Sequence, residues 1–554
     1  MLILCRPDPK SKLCYKVALD YTFTEPPSYR IASQYPKWCE AMDAEFLALQ
    51  KQYTWSLVPA PPNVNLVGYK WVYKLKLNSD GSISRYKARL VAKGFHQLAG
   101  VDFHETFSPV VKPATVRLVL AVAVSCRWSL RQLDVSNAFL HGYLKEEVYM
   151  HQPPSYIDSV HLDFVCKLHK SLYGLKQAPR AWFERFAFHL LHLGFTASMA
   201  DSSLFIFCSD RTIIYLLLYV HDIIVTRNDS SQIASLIAAL GTVFELKDLG
   251  DLHYFLGIQI TPSPHGLLLS QTKYASDIFH RFHMENAKPT KTPCCPSTRL
   301  VPSEGVPLSD PTEYRSMVGA LQYLTFTCPD LAFSVHQLCQ FMSHPTFTHL
   351  EAAKRVFRYI RGTLSFGISF TPSPLSITAF SDADWAGDPS DRRSTTGLLV
   401  FLGPNPISWS AKKQSTVSRS STKAEYRALA TIAAKLSWLR IMFKELRIFL
   451  HHIPVIWCDN VSAIALSANP VFHSKTKHLE VDYHFTREKV LRKQLKIGFV
   501  SGRDNLADIF TKSLPAPCFQ FHRAKLLVDF SPISLKGDVE DSPTPNLQRL
   551  QRPR

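Results

Sequence analysis

The sequence has no Cys-x-x-Cys pair. Its 12 cysteines are scattered over 554 residues, and the only close two, Cys294 and Cys295, are adjacent. Zinc ribbons and knuckles need paired thiolates at short spacing, so that class finds no support. No basic segment followed by an apolar stretch opens the chain, so a secretory leader is not expected. No apolar run approaches the ~18 residues of a membrane span. The expectation is an intracellular protein, in the cytoplasm or nucleus, with reduced thiols and no membrane partner. There is no internal repeat, which removes solenoids and arrays.

Acidic residues are in deficit. Against 63 Lys and Arg stand 45 Asp and Glu, a formal net charge of +18 with a pI near 9.3. An excess of that size favours a polyanionic partner, nucleic acid first among them; the alternative is a basic globular protein without one. Hydrophobic residues make up 46% and aromatics 12%, so the chain can bury cores, and its length calls for two to four domains.

Punctuation along the chain divides it. Residues 1–35, rich in Pro, Ser and Tyr, read as an N-terminal tail, and residues 36–286 as a first folded block. Within it, 36–51 has apolar residues at helical spacing, and Pro59, Pro61 and Pro62 then break the chain. An alternating strand from Val67 to Leu77 turns at Asn78-Ser79-Asp80-Gly81 and returns carrying Arg85, Lys87, Arg89 and Lys93, a basic hairpin. Apolar helical spacing recurs at 114–126, 178–194 and 231–244. Two apolar runs at 211–226 flank His221-Asp222, the pattern of a buried hairpin with polar groups at its tip. Residues 287–374 form a linker, with Pro289, Pro293, Pro296, Pro302 and Pro307, followed by helical segments over 313–363. Residues 375–515 alternate strands with helices, and 516–554 is a polar C-terminal tail.

A carboxylate in so apolar a setting as Asp222 needs a metal or a partner. Asp134, in Gln-Leu-Asp-Val-Ser-Asn-Ala-Phe-Leu-His-Gly, is the second such acid of this block; either one alone reads equally as a turn or cap residue. The segments around them appear in a fixed order. They are Lys70-Trp71-Val72-Tyr73-Lys74, Arg85 to Phe95, Thr106-Phe107-Ser108-Pro109-Val110, Leu133 to Gly142, Ser171 to Trp182, the 219–226 hairpin and Tyr254-Phe255-Leu256-Gly257. Together they resemble the reverse transcriptase of copia-type LTR retrotransposons. The resemblance implies a right-hand polymerase with Asp134 and Asp222 as catalytic, magnesium-binding acids of the palm. It implies that Phe139 is a sugar-facing gate and that Lys87 or Arg89 meets triphosphate oxygens. Tyr173, Gly174, Lys176 and Gln177 would line the template–nucleotide pocket, and Leu256 and Gly257 would form the primer-grip turn. His221 departs from the pattern, which has Asp there. Arg227 stands where the family usually has Gly. Magnesium prefers oxygen, and an imidazole offers one nitrogen lone pair, so an impaired polymerase is expected.

In the later block a strand ends at Asp382 and Asp384, a helical pattern carries Glu425, a strand runs into Asp459, and another helical pattern carries Asp508. Four such acids can gather two magnesium ions for water to attack a phosphodiester; unrelated helix caps are the other reading. Ser381 to Gly387, Lys423-Ala424-Glu425-Tyr426, Cys458-Asp459-Asn460, Thr476 to Phe485 and Leu506 to Lys512 resemble the ribonuclease H domain that follows copia-type polymerases. That resemblance assigns Asp382, Glu425, Asp459 and Asp508 to the catalytic metal site, with Asp384 an alternative to Asp382. His478 and Glu480 lie in a polar cluster whose role is either substrate gripping or a buried hydrogen-bonded His.

The expected fold class is therefore multidomain, α+β and α/β: a right-hand polymerase (fingers and palm, with a reduced thumb at about 260–290), then connecting helices, then a ribonuclease H-like domain. The expected function is an RNA-directed DNA polymerase with ribonuclease H, the polymerase impaired at His221; the alternative is a catalytically dead relic that only binds nucleic acid. Mg2+ is the implied cofactor, with Mn2+ as substitute. RNA template, DNA primer, RNA–DNA hybrid and deoxynucleoside triphosphates are the implied partners, in the context of a virus-like particle. No protease, integrase or Gag-like signal precedes the first block, so the chain is expected to lack the front of such a polyprotein.

Overall fold

The computed structural model describes residues 20–78, 82–209, 212–228, 233–296, 298–302, 304–468, 480–526 and 528–530. The architecture is mixed α/β and multidomain. The chain divides into two compact units, Met1–Val111 with Arg131–Gly250, and Lys112–Leu130 with Asp251–Arg554.

The first unit opens with the helix Pro36–Lys51, whose N-terminal proline suits the first turn because its missing N–H has no intrahelical partner. Its buried Trp38 sits edge-on to Tyr73 and Tyr86, which face it from the antiparallel hairpin Tyr69–Leu77 and Ile83–Ala92. Strands Trp55–Pro59, Phe164–Lys170, Tyr143–Met150 and Leu66–Val67 form a four-stranded sheet in that order.

A six-stranded sheet carries the apolar hairpin. Its order is Leu246–Asp251, Ser129–Val135, Asp222–Arg227, Ile213–Tyr219, Leu204–Cys208 and Thr196–Ala197. In the hairpin Tyr219 pairs with Asp222, so Val220 and His221 are the two-residue turn. The helix Ala178–His192 lays Trp182, Phe186 and Leu190 on this sheet, against Leu133, Leu216, Ile223 and Val225.

The second unit contains a five-stranded sheet in the order Asn405–Lys413, Thr395–Leu402, Ile377–Ala383, Val455–Cys458, Lys496–Phe499. The first three strands are antiparallel and the last two run parallel to Ile377–Ala383. Every residue of Thr395–Leu402 is buried, as a near-continuous apolar run requires. The 25-residue helix Ser421–Glu445 starts at Ser420, whose hydroxyl accepts the Lys423 N–H, and small Ala424 and Ala428 let it approach Ala383 closely. Helices Thr312–Leu324, Ala332–Cys339 and Phe347–Arg361 share a core with this sheet through Leu399 and Phe401. Among the described residues no helix is long and apolar enough to cross a membrane.

Candidate active sites

At the hairpin tip, ligand atoms of Asp134, His221 and Asp222 all lie within 4.8 Å of one another. Asp134 comes from Ser129–Val135, the strand beside the hairpin, and the two elements are cross-linked where the Val135 N–H donates to the His221 carbonyl at 2.9 Å. The Trp182 indole N–H donates to the Val220 carbonyl at 2.6 Å. Val220 has φ +54°, a conformation that a β-branched residue adopts only when its surroundings impose it. His221 is exposed, and both Asp residues are half-buried. Burial pushes the Asp222 carboxyl above its ordinary range; His221 and a hydrogen bond from Gln132 oppose this, while Asp134 adds to it.

Most residues that the resemblance assigned to the nucleotide pocket are brought together. The Arg89 guanidinium lies 4.4 Å from the Tyr173 ring centroid, and the Phe139 ring meets Tyr173 edge-on at 5.2 Å. Burial and the neighbouring Arg89 and Arg85 hold the Lys87 ammonium below its usual pKa. Gly174 has φ +90°, and a Cβ there would meet the Ala92 carbonyl oxygen at 2.1 Å, so only glycine lets this loop dock on the hairpin. Gln177 is fully buried. It donates to the Asp102 carbonyl at 2.9 Å and accepts from Gln97 at 3.0 Å, a loop brace rather than a free pocket wall. Lys176 is tied to Gln97 through its backbone N–H at 2.8 Å, with its ammonium 4.6 Å from the Phe103 ring centroid.

In the second unit, ligand atoms of Asp382, Asp459 and Asp508 form one group within 4.8 Å, and those of Glu425, Cys458 and Asp459 form another. The two share Asp459, so all four expected acids converge. Asp382 is the penultimate residue of the central strand and is 1% exposed; Asp508 lies in the 3-10 turn Leu506–Phe510. The Ala383 N–H donates to Glu425 at 3.1 Å. Burial, then the Asp382 charge, pushes Glu425 up to about 9 and Asp508 up to about 7, and burial raises Asp459 as well. Asp384 belongs to neither ligand group. It accepts the Thr395 N–H, and burial raises it to about 7.

Sequence reasoning missed the cation in this nest. The Lys512 ammonium donates to Asp508 at 2.8 Å and to Asp382 at 3.4 Å. Burial works against its charge, but the two carboxylates outweigh that and hold Lys512 above its ordinary range. Its place four residues after Asp508 was the available signal. Two further supports were also missed. The Thr511 hydroxyl donates to Asp382, and the buried Asn505 amide donates to the Ser381 carbonyl at 3.1 Å.

Beside this nest lies a cavity of about 880 Å³, with Lys512, Thr511 and Asp384 in one wall. Lys354, Arg355 and Arg358 line another, at the i, i+1 and i+4 positions of one helix face. The segment expected as a linker closes part of it: Thr292 is held by Arg355 at 3.1 Å and Lys288 by Arg358 at 2.8 Å. Trp385, 55% exposed, also lines the cavity, and its indole N–H is fixed to the Ser418 carbonyl.

Leu256 and Gly257, both at positive φ, form the turn between Tyr254–Phe255 and Ile258–Ser263, and the Tyr323 hydroxyl donates to the Leu256 carbonyl. His478 lies outside the described residues, as does the side chain of Glu480.

The family described as reverse transcriptase (RNA-dependent DNA polymerase) matches residues 52–296. The retrovirus-related Pol polyprotein from transposon RE1 of Arabidopsis thaliana is 48% identical over 533 residues, 96% of this chain and 36% of that protein. The retrovirus-related Pol polyprotein from transposon TNT 1-94 of Nicotiana tabacum is 39% identical over 513 residues, 90% of this chain and 38% of that protein. A putative transposon Ty5-1 protein of Saccharomyces cerevisiae is 33% identical over 298 residues, 53% of this chain and 97% of that protein. This chain thus spans little more than a third of the length of the two plant polyproteins.

Proposed function

The chain belongs to the copia-type LTR retrotransposon Pol polyproteins, and on that premise we propose that it is their reverse transcriptase and ribonuclease H region, with a ribonuclease site that fits magnesium and a polymerase site that does not. The observation that carries this reading is the convergence of Asp382, Glu425, Asp459 and Asp508 from separate elements, with the Lys512 ammonium held among them.

The donor set of that nest is suited to magnesium, which takes hard oxygen ligands. Asp382, Glu425, Asp459 and Asp508 would hold it, and the ion pairs with Lys512 support a pocket that accommodates positive charge. When bound, magnesium supplies Lewis acidity toward a phosphodiester oxygen and lowers the pKa of water. The chain's own residues do the rest. Thr511 and Asn505 fix the strand end that bears Asp382. Glu425 and Asp508 retain protons near neutrality and release them as a cation arrives. Lys354, Arg355 and Arg358 supply a basic wall for the phosphates of an RNA–DNA hybrid, and the held indole of Trp385 supplies a face for a sugar or base.

At the hairpin the donors are two carboxylates and one imidazole. Magnesium does not fit this set: one hard ligand and one negative charge are missing. Losing them costs at least several kcal/mol of transition-state stabilisation, on the order of 10³-fold or more in rate. Arg89, Tyr173, Phe139, Lys87 and Lys176 retain a nucleotide-binding role in this reading, so the defect is confined to one position.

Cleavage of an RNA–DNA hybrid by the full chain tests the ribonuclease assignment. The expected result is magnesium-dependent cutting of the RNA strand, abolished by Asp382→Asn and by Asp508→Asn in folded protein. Salt-sensitive binding without cutting would instead favour a relic that only binds nucleic acid.

A further inference from the structure

The misfit of magnesium at the hairpin has a positive side. We propose that Asp134, His221 and Asp222 form a mononuclear site for a borderline divalent transition ion of the zinc and cobalt type. The inference extends the proposed loss of magnesium fit at this position and is independent of the ribonuclease assignment.

Three features support it. The first is donor chemistry: imidazole nitrogen raises affinity for zinc, cobalt and nickel over magnesium, and mixed nitrogen–oxygen sets of three protein ligands that leave a position open are a recurring zinc arrangement. The second is charge. Two carboxylates with a neutral imidazole balance a single divalent ion, whereas three carboxylates would favour a second. The third is geometry. The ligand atoms lie within 4.8 Å of one another, so modest side-chain rotations bring them to the roughly 3.4 Å separation of ligands about one tetrahedral ion. Their backbones are also held in place. Val135 N–H binds the His221 carbonyl, and Trp182 holds the Val220 carbonyl. His221 is exposed, which leaves the ion a path from solvent.

Co2+ titration of the full chain tests this, with the second acid nest silenced by Asp459→Asn and Cys458→Ser, which break both of its ligand groups, and folding checked by circular dichroism. The readout is the visible ligand-field absorption of bound Co2+, with Zn2+ and Mg2+ as competitors. We expect saturable absorption displaced by Zn2+ but not by millimolar Mg2+, and lost with Asp134→Asn. His221→Asp should weaken Co2+ by about tenfold or more and make the site sensitive to Mg2+. His221→Gln, which keeps a neutral polar side chain without a ring nitrogen, should weaken Co2+ without gaining Mg2+ sensitivity. If Co2+ affinity is the same with His221→Asp while Mg2+ sensitivity appears, the transition-ion assignment falls and the loss of magnesium fit stands. If neither property changes, both fall.

Discussion

The Val135 N–H donates a 2.9 Å hydrogen bond to the carbonyl oxygen of His221. This bond joins the strand that bears Asp134 to the turn that bears His221, and it uses only backbone atoms. The side chain at 221 is therefore free to vary without disturbing the frame that positions it. His221→Gln, which adds no charge beside Asp134 and Asp222, is expected to leave stability within about 0.5 kcal/mol of the parent, measured by the denaturant midpoint at unchanged m-value. A larger loss would mean that the imidazole itself supports the turn.

Removing Lys512 leaves Asp382 and Asp508 facing each other without their counter-charge. Lys512→Met is expected to cost about 1–2 kcal/mol in EDTA, less than a fully buried pair because the Lys512 side chain is 41% exposed. Magnesium should narrow that difference, because it supplies the missing positive charge. Thermal melts of both chains with and without magnesium provide the check, and an equal gap in the two conditions would contradict the site.

The acid nest also sets a pH dependence. Asp508 is raised to about 7 and Glu425 to about 9 in the folded chain, and Asp384, beside the nest, to about 7. Unfolded carboxyls titrate near about 4, so between these values the folded state holds more protons than the unfolded state. Their contribution to stability is fully present below about pH 4 and is lost as pH rises through about 7 and on toward about 9. Metal-free protein should lose stability over that window. The loss should be smaller with magnesium, which favours the ionised carboxylates. Denaturation midpoints from pH 5 to 9 test this, and a flat metal-free profile would contradict it.

Lys354 lines the cavity beside the nest on the basic face of Phe347–Arg361. Lys354→Ala is expected to raise KM for an RNA–DNA hybrid and leave kcat near its parent value. It should also reduce the slope of log affinity against log salt by about one. A fall in kcat at unchanged KM would place Lys354 outside the binding path.

What the sequence disclosed follows from the range of the interactions involved. The helix Pro36–Lys51 has the bounds that its apolar spacing predicts, because capping and amphipathicity are local. The grouping of Asp382, Glu425, Asp459 and Asp508 was legible because each lies in or beside a local element, and the sheet order then brings Asp382 and Asp508 together across 126 residues of chain. Asn505 reads locally as a cap, and it does accept the Ala507 N–H, but its second bond, to the Ser381 carbonyl, has no local trace. Arg117 sits in a run that reads as an apolar helix. Its guanidinium is buried 3.5 Å from the Trp409 ring centroid and donates to the Ile407 and Phe326 carbonyls, partners 290 and 209 residues away. Burial pulls Arg117 down to about 9, and no spacing rule identifies the groups that receive it.

One reaction addresses the central claim, that the polymerase is disabled at a point while the ribonuclease site is complete. The full chain is given a DNA primer on an RNA template with deoxynucleoside triphosphates and magnesium, and primer length and template integrity are followed in the same sample. A cut template and an unextended primer are expected, with extension restored by His221→Asp. Robust extension by the unaltered chain, or a template left intact by folded protein, would contradict it.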